Sequence, residues 1–153
     1  MDFSLNTGYG IVHLEKRCDA VPVMFTIGHS NHSFQEFLEL LKKHDITLVV
    51  DVRSQPYSRY VSHFNRRFLA EHLPQAGIGY LFLGAYLGGR PKEKEYYRPD
   101  GTVDYNVLQQ SPRFRKGIEE VKRLAEKHRL VLLCSEEDPS RCHRKLLVGE
   151  VLV

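Results

Sequence analysis

The segment CSEEDPSRCHR, residues 134–144, carries the densest set of reactive side chains in this chain. A thiol next to cations, or in the first turn of a helix, loses its proton below the usual thiol range and becomes a nucleophile. Arg141 and Arg144 supply positive charge and, through the guanidinium fork, bidentate geometry for phosphate, sulfate or carboxylate. Cys134, Cys142 and His143 are therefore candidate catalytic residues, with Arg144 and Glu136 as candidate substrate-binding ones. Glu136, Glu137 and Asp138 work against the cations: they can neutralise the arginines, orient His143 or hold a metal. Two plainer readings compete. A cysteine ending a buried strand is often only a small core residue. Cys134, Cys142 and His143 can also bind zinc, with a fourth ligand such as His29 or a carboxylate. The C-x7-C-H spacing lacks the short C-x2-4-C step of a structural knuckle.

A second cluster is DVRSQPYSR, residues 51–59. Asp51 at a strand end can act as a general base, ligate a metal, or serve as the partner of Arg53 in a pair that fixes a loop. Arg53, Ser54 and Tyr57 are candidate substrate-binding residues. Tyr57, Tyr60, Phe64 and Phe68, set among Arg53, Arg59, Arg66 and Arg67, can stack a base and hold a phosphate, or simply form core beneath a loop. Gly28-His29-Ser30 opens a third loop and makes His29 a further catalytic candidate.

These clusters need elements to position them. VMFTIG, 23–28, reads as a short buried strand. Ser33 then caps a helix, with Glu36 placed for a capping box and Phe34, Phe37, Leu38 and Leu41 on one face. ITLVVDV, 46–52, is a continuous apolar, β-branched run, as in a central parallel strand covered on both faces. The segment 57–68 leads into a helix ending near Leu73-Pro74, and 79–83 is the next strand. Residues 90–101 read as a polar loop or flap. Ser111-Pro112 starts an amphipathic helix through Phe114, Ile118, Val121 and Leu124. RLVLLC, 129–134, is a strand, and Ser140 caps a last helix that places Cys142 and His143 in its first turn. Strands alternating with helices predict a single three-layer αβα domain with a mostly parallel sheet. Ligands in such folds bind beyond the carboxyl ends of the strands, here His29, Asp51 to Arg53, Tyr86 and Cys134.

Composition narrows the classes. The 153 residues suit one domain, and 42% hydrophobic with 27% charged residues is ordinary globular usage. No apolar run approaches the roughly 20 residues of a membrane span. The first residues lack a secretory pattern, and three cysteines do not suggest a disulfide framework, so the cytoplasm is the expected compartment. A net charge of +3 neither demands nor excludes a nucleic-acid partner. No pattern identifies a cofactor.

Five segments, TIGHSNHSFQEFLELL, VVDVRSQPYSR, YLFLGAYLGG, FRKGIEEVKRLA and VLLCSEEDPSRCHR, together resemble the domain-of-unknown-function 488 family, from residue 24 to 150. The last contains C-x-E-x-x-P-x-x-C-H-R, the most specific of the motifs. The resemblance implies a compact α/β domain, residues 23–153, and carries no established activity. Family members continue into a final strand resembling G-I-x-V-x-H-I, whereas this chain stops at Val153. Gly10-Ile11-Val12-His13-Leu14 resembles that element. The expectation is a circular permutation or rearrangement in which the 1–22 segment fills the final strand's slot, with residues 10–14 in the sheet and the termini close together; the alternative is an unrelated N-terminal extension.

Three functions are then in play. The first is an enzyme with a cysteine thiolate, arginines gripping an anionic group and a histidine moving protons. The order strand, cysteine, loop, arginine, helix has a superficial likeness to rhodanese and cysteine-phosphatase loops. Here six residues separate Cys134 from Arg141 and Pro139 interrupts them, unlike the tight cradle those enzymes use. The second is a nucleotide or nucleic-acid binding module using Arg53, Arg59, Arg66, Arg67 and the nearby tyrosines. The third is a metal protein built on the Cys-Cys-His set.

Overall fold

The computed structural model describes residues 11–14, 24–28, 32–59 and 61–134. Within them a five-stranded sheet runs β1 (Ile11–Leu14), β2 (Met24–Gly28), β5 (Leu130–Cys134), β3 (Leu48–Asp51) and β4 (Gly79–Phe82), in that spatial order. β2, β5, β3 and β4 are parallel, and β1 is antiparallel to β2 at the edge. The N-terminal segment contributes the edge strand Ile11–Leu14 to the sheet. The termini lie outside the described residues.

Alternation along the strands sends side chains into two cores, and the helices follow. On one face Phe25, Ile27, Val49, Val131 and Leu133 meet Phe37 and Leu41 of α1 (Phe34–Lys43) and Leu69 and Leu73 of α2 (Arg66–Gln75). On the other face Leu48, Val50, Leu130 and Leu132 meet Leu87 of α3 (Gly84–Leu87), Leu108 of α4 (Tyr105–Gln109), and Phe114, Ile118 and Val121 of α5 (Pro112–Ala125). The architecture is α/β, with helices on both sides of a mostly parallel sheet. β3 and β5 are interior strands, which explains why β3 up to Asp51, and β5, are apolar.

Local signals set several boundaries. Ser33 accepts the Glu36 amide at 3.1 Å and Glu36 reaches back to the Ser33 amide, so α1 begins with a complete capping box. Ser111 caps α5 at the Phe114 amide with Pro112 in the first turn. α2 ends at Gln75, one residue past Pro74 and close to the end expected at Leu73-Pro74. The proline falls in the last turn, where the helix is already closing: Gly77 (φ 79°) donates to Pro74 O and Ile78 to Leu73 O. That paired closure needs a left-handed residue after the cap, and Gly77 provides it.

The polar stretch 90–101 is not featureless. It contains a 3-10 turn at Lys94–Tyr96, a bridge between Tyr97 and Val103, and a Tyr97 hydroxyl donating to Pro91 O at 2.7 Å. Among the described residues no helix is long and apolar enough to cross a membrane.

Candidate functional site

Parallel strands deliver their carboxyl ends to one edge, and the register states which ends meet there. Gly28 is opposite Cys134, Leu133 is opposite Asp51, and Asp51 is opposite Phe82. At about 4.8 Å per strand step, all four strands end within roughly 15 Å of one another.

The best-defined feature of this edge is built on Asp51. Its parity with Val49 turns its side chain toward the α1–α2 layer, where it is fully buried. Oδ1 accepts the Arg53 Nε–H at 2.9 Å and the Arg53 amide at 3.1 Å. Oδ2 accepts Arg53 Nη2–H at 2.7 Å and the Tyr80 hydroxyl at 2.6 Å. Four donors occupy the four lone-pair sites of the carboxylate. Arg53 is 7% exposed, and Nη2 also donates to Phe64 O at 2.7 Å, which anchors the loop leading to α2. Two charges removed from water are tolerable only with such complete hydrogen bonding. Of the three roles open to Asp51, the geometry displays the partnership with Arg53. Among the described residues no partner engages Nη1 of Arg53.

Tyr80 was not singled out by the sequence. Burial first, then the charge of the Asp51 carboxylate and the bond to it, push its phenol well above its ordinary pKa. It therefore stays protonated as a fixed donor. The available signal was parity: Tyr80 pairs with Val49, so it shares the face of Asp51 one pleat away. A hydroxyl at that point of an otherwise apolar strand has the carboxylate within reach.

The loop after β3 is held from above by glycines. A Cβ on Gly84 would sit 1.9 Å from Arg53 O, and one on Gly88 would sit 2.2 Å from Ser54 Oγ. Close backbone approach is what these glycines permit. It lets the Arg90 amide donate to Ser54 Oγ at 2.8 Å, so the hydroxyl proton of Ser54 stays available as a donor. Ser54 is half-buried at this junction.

The aromatics of the second cluster divide. Phe64 is fully buried and packs edge-on against Phe37 at 5.0 Å. Phe68 stacks on His72 at 3.8 Å. Tyr57 is 73% exposed. The Arg66 guanidinium lies 4.2 Å from the centre of the Phe82 ring, at the end of β4. Tyr86, expected at the strand ends, is in α3 and packs with the α5-side core, with Lys116 Nζ 5.9 Å from its ring.

Cys134 is the last residue of β5. His29, Tyr60, Glu136, Arg141, Cys142, His143 and Arg144, with the helix expected from Ser140, lie outside the described residues. Among those described, no group of three or more His, Cys, Asp or Glu is placed to hold a metal ion.

A model of the family described as domain of unknown function DUF488 matches residues 33–151. No curated protein and no solved structure matches the chain.

Proposed function

This chain belongs to the DUF488 family, and on that premise we propose that the carboxyl edge of its sheet is an anion-handling enzyme site whose nucleophile is a cysteine thiolate. One observation carries the reading. The pairing of Gly28 with Cys134 and of Leu133 with Asp51 puts the ends of β2, β5 and β3, where the motifs GHS, CSEEDPSRCHR and DVRS begin, at one edge of the sheet.

The Cys134 or Cys142 thiolate attacks the phosphorus, sulfur or carbonyl carbon of the anionic group; the bond from that atom to the leaving group breaks, and the leaving group takes the proton that His143 or His29 carries. Arg144 and the Nη1 edge of Arg53 grip the anionic group, with the Ser54 hydroxyl as an additional donor. Glu136 orients the imidazole. Asp51, whose lone pairs are occupied, positions Arg53 rather than taking a proton. Tyr57 borders the entrance. The substrate class is a small molecule bearing phosphate, sulfur or carboxylate.

The test is the pH dependence of alkylation at each cysteine, resolved by peptide mass, with Cys18 as the internal reference. One motif thiol is expected to react with an apparent pKa below the usual value of about 8.5, and Arg144→Ala is expected to raise it. Thiols that stay inert at every pH would remove the nucleophile and with it the proposal. Thiols that react only after chelation would transfer the Cys-Cys-His set to metal binding.

A further inference from the structure

β4 ends the sheet on the side away from β1, so one of its flanks has no neighbouring strand. Gly79 donates its amide to Thr47 O at 2.9 Å and Leu83 donates to Asp51 O at 2.9 Å, so residues of that parity, Leu81 included, turn toward β3. The amides and carbonyls of Tyr80 and Phe82 therefore point outward, and among the described residues nothing pairs with them. The strand reads GYLF, with no charge and no proline, and each of its residues is half-buried. An apolar edge without such guards templates the addition of another strand.

α2 borders this edge and runs against the direction of β4. Arg66, in its first turn, stands over the Phe82 ring at 4.2 Å, whereas its last turn meets the start of β4, where Ile78 donates to Leu73 O. The exposed side of α2 carries Arg66 and Arg67 at its start and Glu71 farther on. Among the described residues none of these three has an ion-pair partner, whereas Arg98, Arg113 and Arg123 each have one. Arg66 and Arg67 also oppose the positive end of their own helix dipole.

We propose that a second copy of this chain occupies the edge, with β4 pairing antiparallel to β4 about a two-fold axis at Leu81. In that register Tyr80 of each copy faces Phe82 of the other, and both outward residues exchange amide and carbonyl bonds. The two aromatic contacts lie on the α2 face of the joined sheet, and Leu81 meets Leu81 on the opposite face. The axis also sets the two α2 helices antiparallel. Tyr80 lies about 6.6 Å back along the strand from Phe82, which spans about four or five residues of a helix. Counted from Arg66 over Phe82, the part of α2 level with Tyr80 is Ala70 to Glu71. Glu71 of the second copy thus comes level with Arg66, and the axis repeats that ion pair. Many strands could satisfy the open backbone groups; the match of Arg66 to Glu71 is what selects a second copy. The interface does not rest on the cysteine chemistry, because β3 separates β4 from β5, which ends in Cys134. The Tyr80 hydroxyl stays on Asp51 within its own chain.

The experiment is sedimentation velocity of the full chain at low salt, over a concentration range spanning about 1 to 200 μM. A mass of two chains is expected, with a dissociation constant of roughly micromolar order, as suits a small interface. Arg66→Glu alone and Glu71→Arg alone each set like charges opposite one another twice, and each raises that constant about ten-fold. The Arg66→Glu, Glu71→Arg double variant returns it to within about two-fold of the original. Leu81→Lys puts two ammonium groups at the axis and leaves the chain monomeric. The charge variants lie on an exposed helix face, and melting curves check that every variant is folded. A single-chain mass at every concentration would overturn the proposal and leave the edge to a strand of another protein. A dimer that ignores Leu81→Lys and both charge reversals would also overturn it, as would single-variant losses that the double variant fails to repair. Thiol alkylation does not read this edge, so either proposal can fail alone.

Discussion

Replacing Tyr80 by phenylalanine deletes one oxygen and tests the buried cluster directly. The ring stays in β4, but Oδ2 of Asp51 loses the donor at 2.6 Å. A hydrogen bond to a charged group contributes about 1.5–3 kcal/mol. Tyr80 is only half-buried, so water can replace the hydroxyl in part, and the expected loss lies near the lower bound, about 1.5 kcal/mol. For a domain of this size each kcal/mol moves Tm by about 2–4 °C, which gives a drop of roughly 3–6 °C at pH 8 by differential scanning fluorimetry. The pH dependence supplies a second readout. The folded-state pKa of Tyr80 is raised, so its stabilising contribution is intact below the unfolded tyrosine value of about 10 and is lost as pH rises beyond it. The gap between wild type and Tyr80→Phe should therefore narrow from pH 9 to pH 11, while other tyrosines and lysines cancel in the difference. A Tm change under about 1 °C at pH 8, or a gap constant to pH 11, would refute the hydroxyl's role as a buried donor.

Other consequences follow from the same geometry. Asp51→Ala leaves Arg53 buried without its counter-charge and should cost about 3–5 kcal/mol in denaturant unfolding; a loss below about 1 kcal/mol would mean that Arg53 turns to water freely. Gly84→Ala drives a methyl to within 1.9 Å of Arg53 O, so it should destabilise more than Gly77→Ala, where nothing lies within 4 Å and only the positive φ opposes the change, at about 1 kcal/mol. Equal effects in the two glycine variants would contradict the close approach. Arg67→Glu should raise stability by about 0.3–1 kcal/mol at low salt by matching the helix dipole, with the gain fading as salt is added; a gain that persists unchanged at high salt would point to another cause.

Much of the fold was legible because its causes are local. The capping box at Ser33 and Glu36, proline after Ser111, and the apolar spacing of α1 and α5 each act within a few residues, and each element formed where those signals lay. The uninterrupted run around β3 announced a strand covered on both faces. α3 and α4 were not legible: helices of four and five residues have no stability of their own and exist through packing against α5 and the sheet. The aromatics between Tyr57 and Phe68 looked alike as letters, yet Phe64 is core and Tyr57 is exposed.

For the candidate site, residue types and motif spacing singled out Asp51, Arg53, Ser54 and Cys134, and the alternation of strands and helices placed them at one edge of a sheet. Their partnerships belong to the tertiary structure. Placing β5 between β2 and β3 set Cys134 opposite Gly28, across more than a hundred residues of chain. Pairing β4 with β3 brought the Tyr80 hydroxyl to Asp51, 29 residues away in sequence. Strand order and register come from burying two cores at once, a property of the whole chain. A carboxylate's role depends on the donors that surround it. For Asp51 those are Arg53, two residues on, and Tyr80, which only the folded sheet supplies.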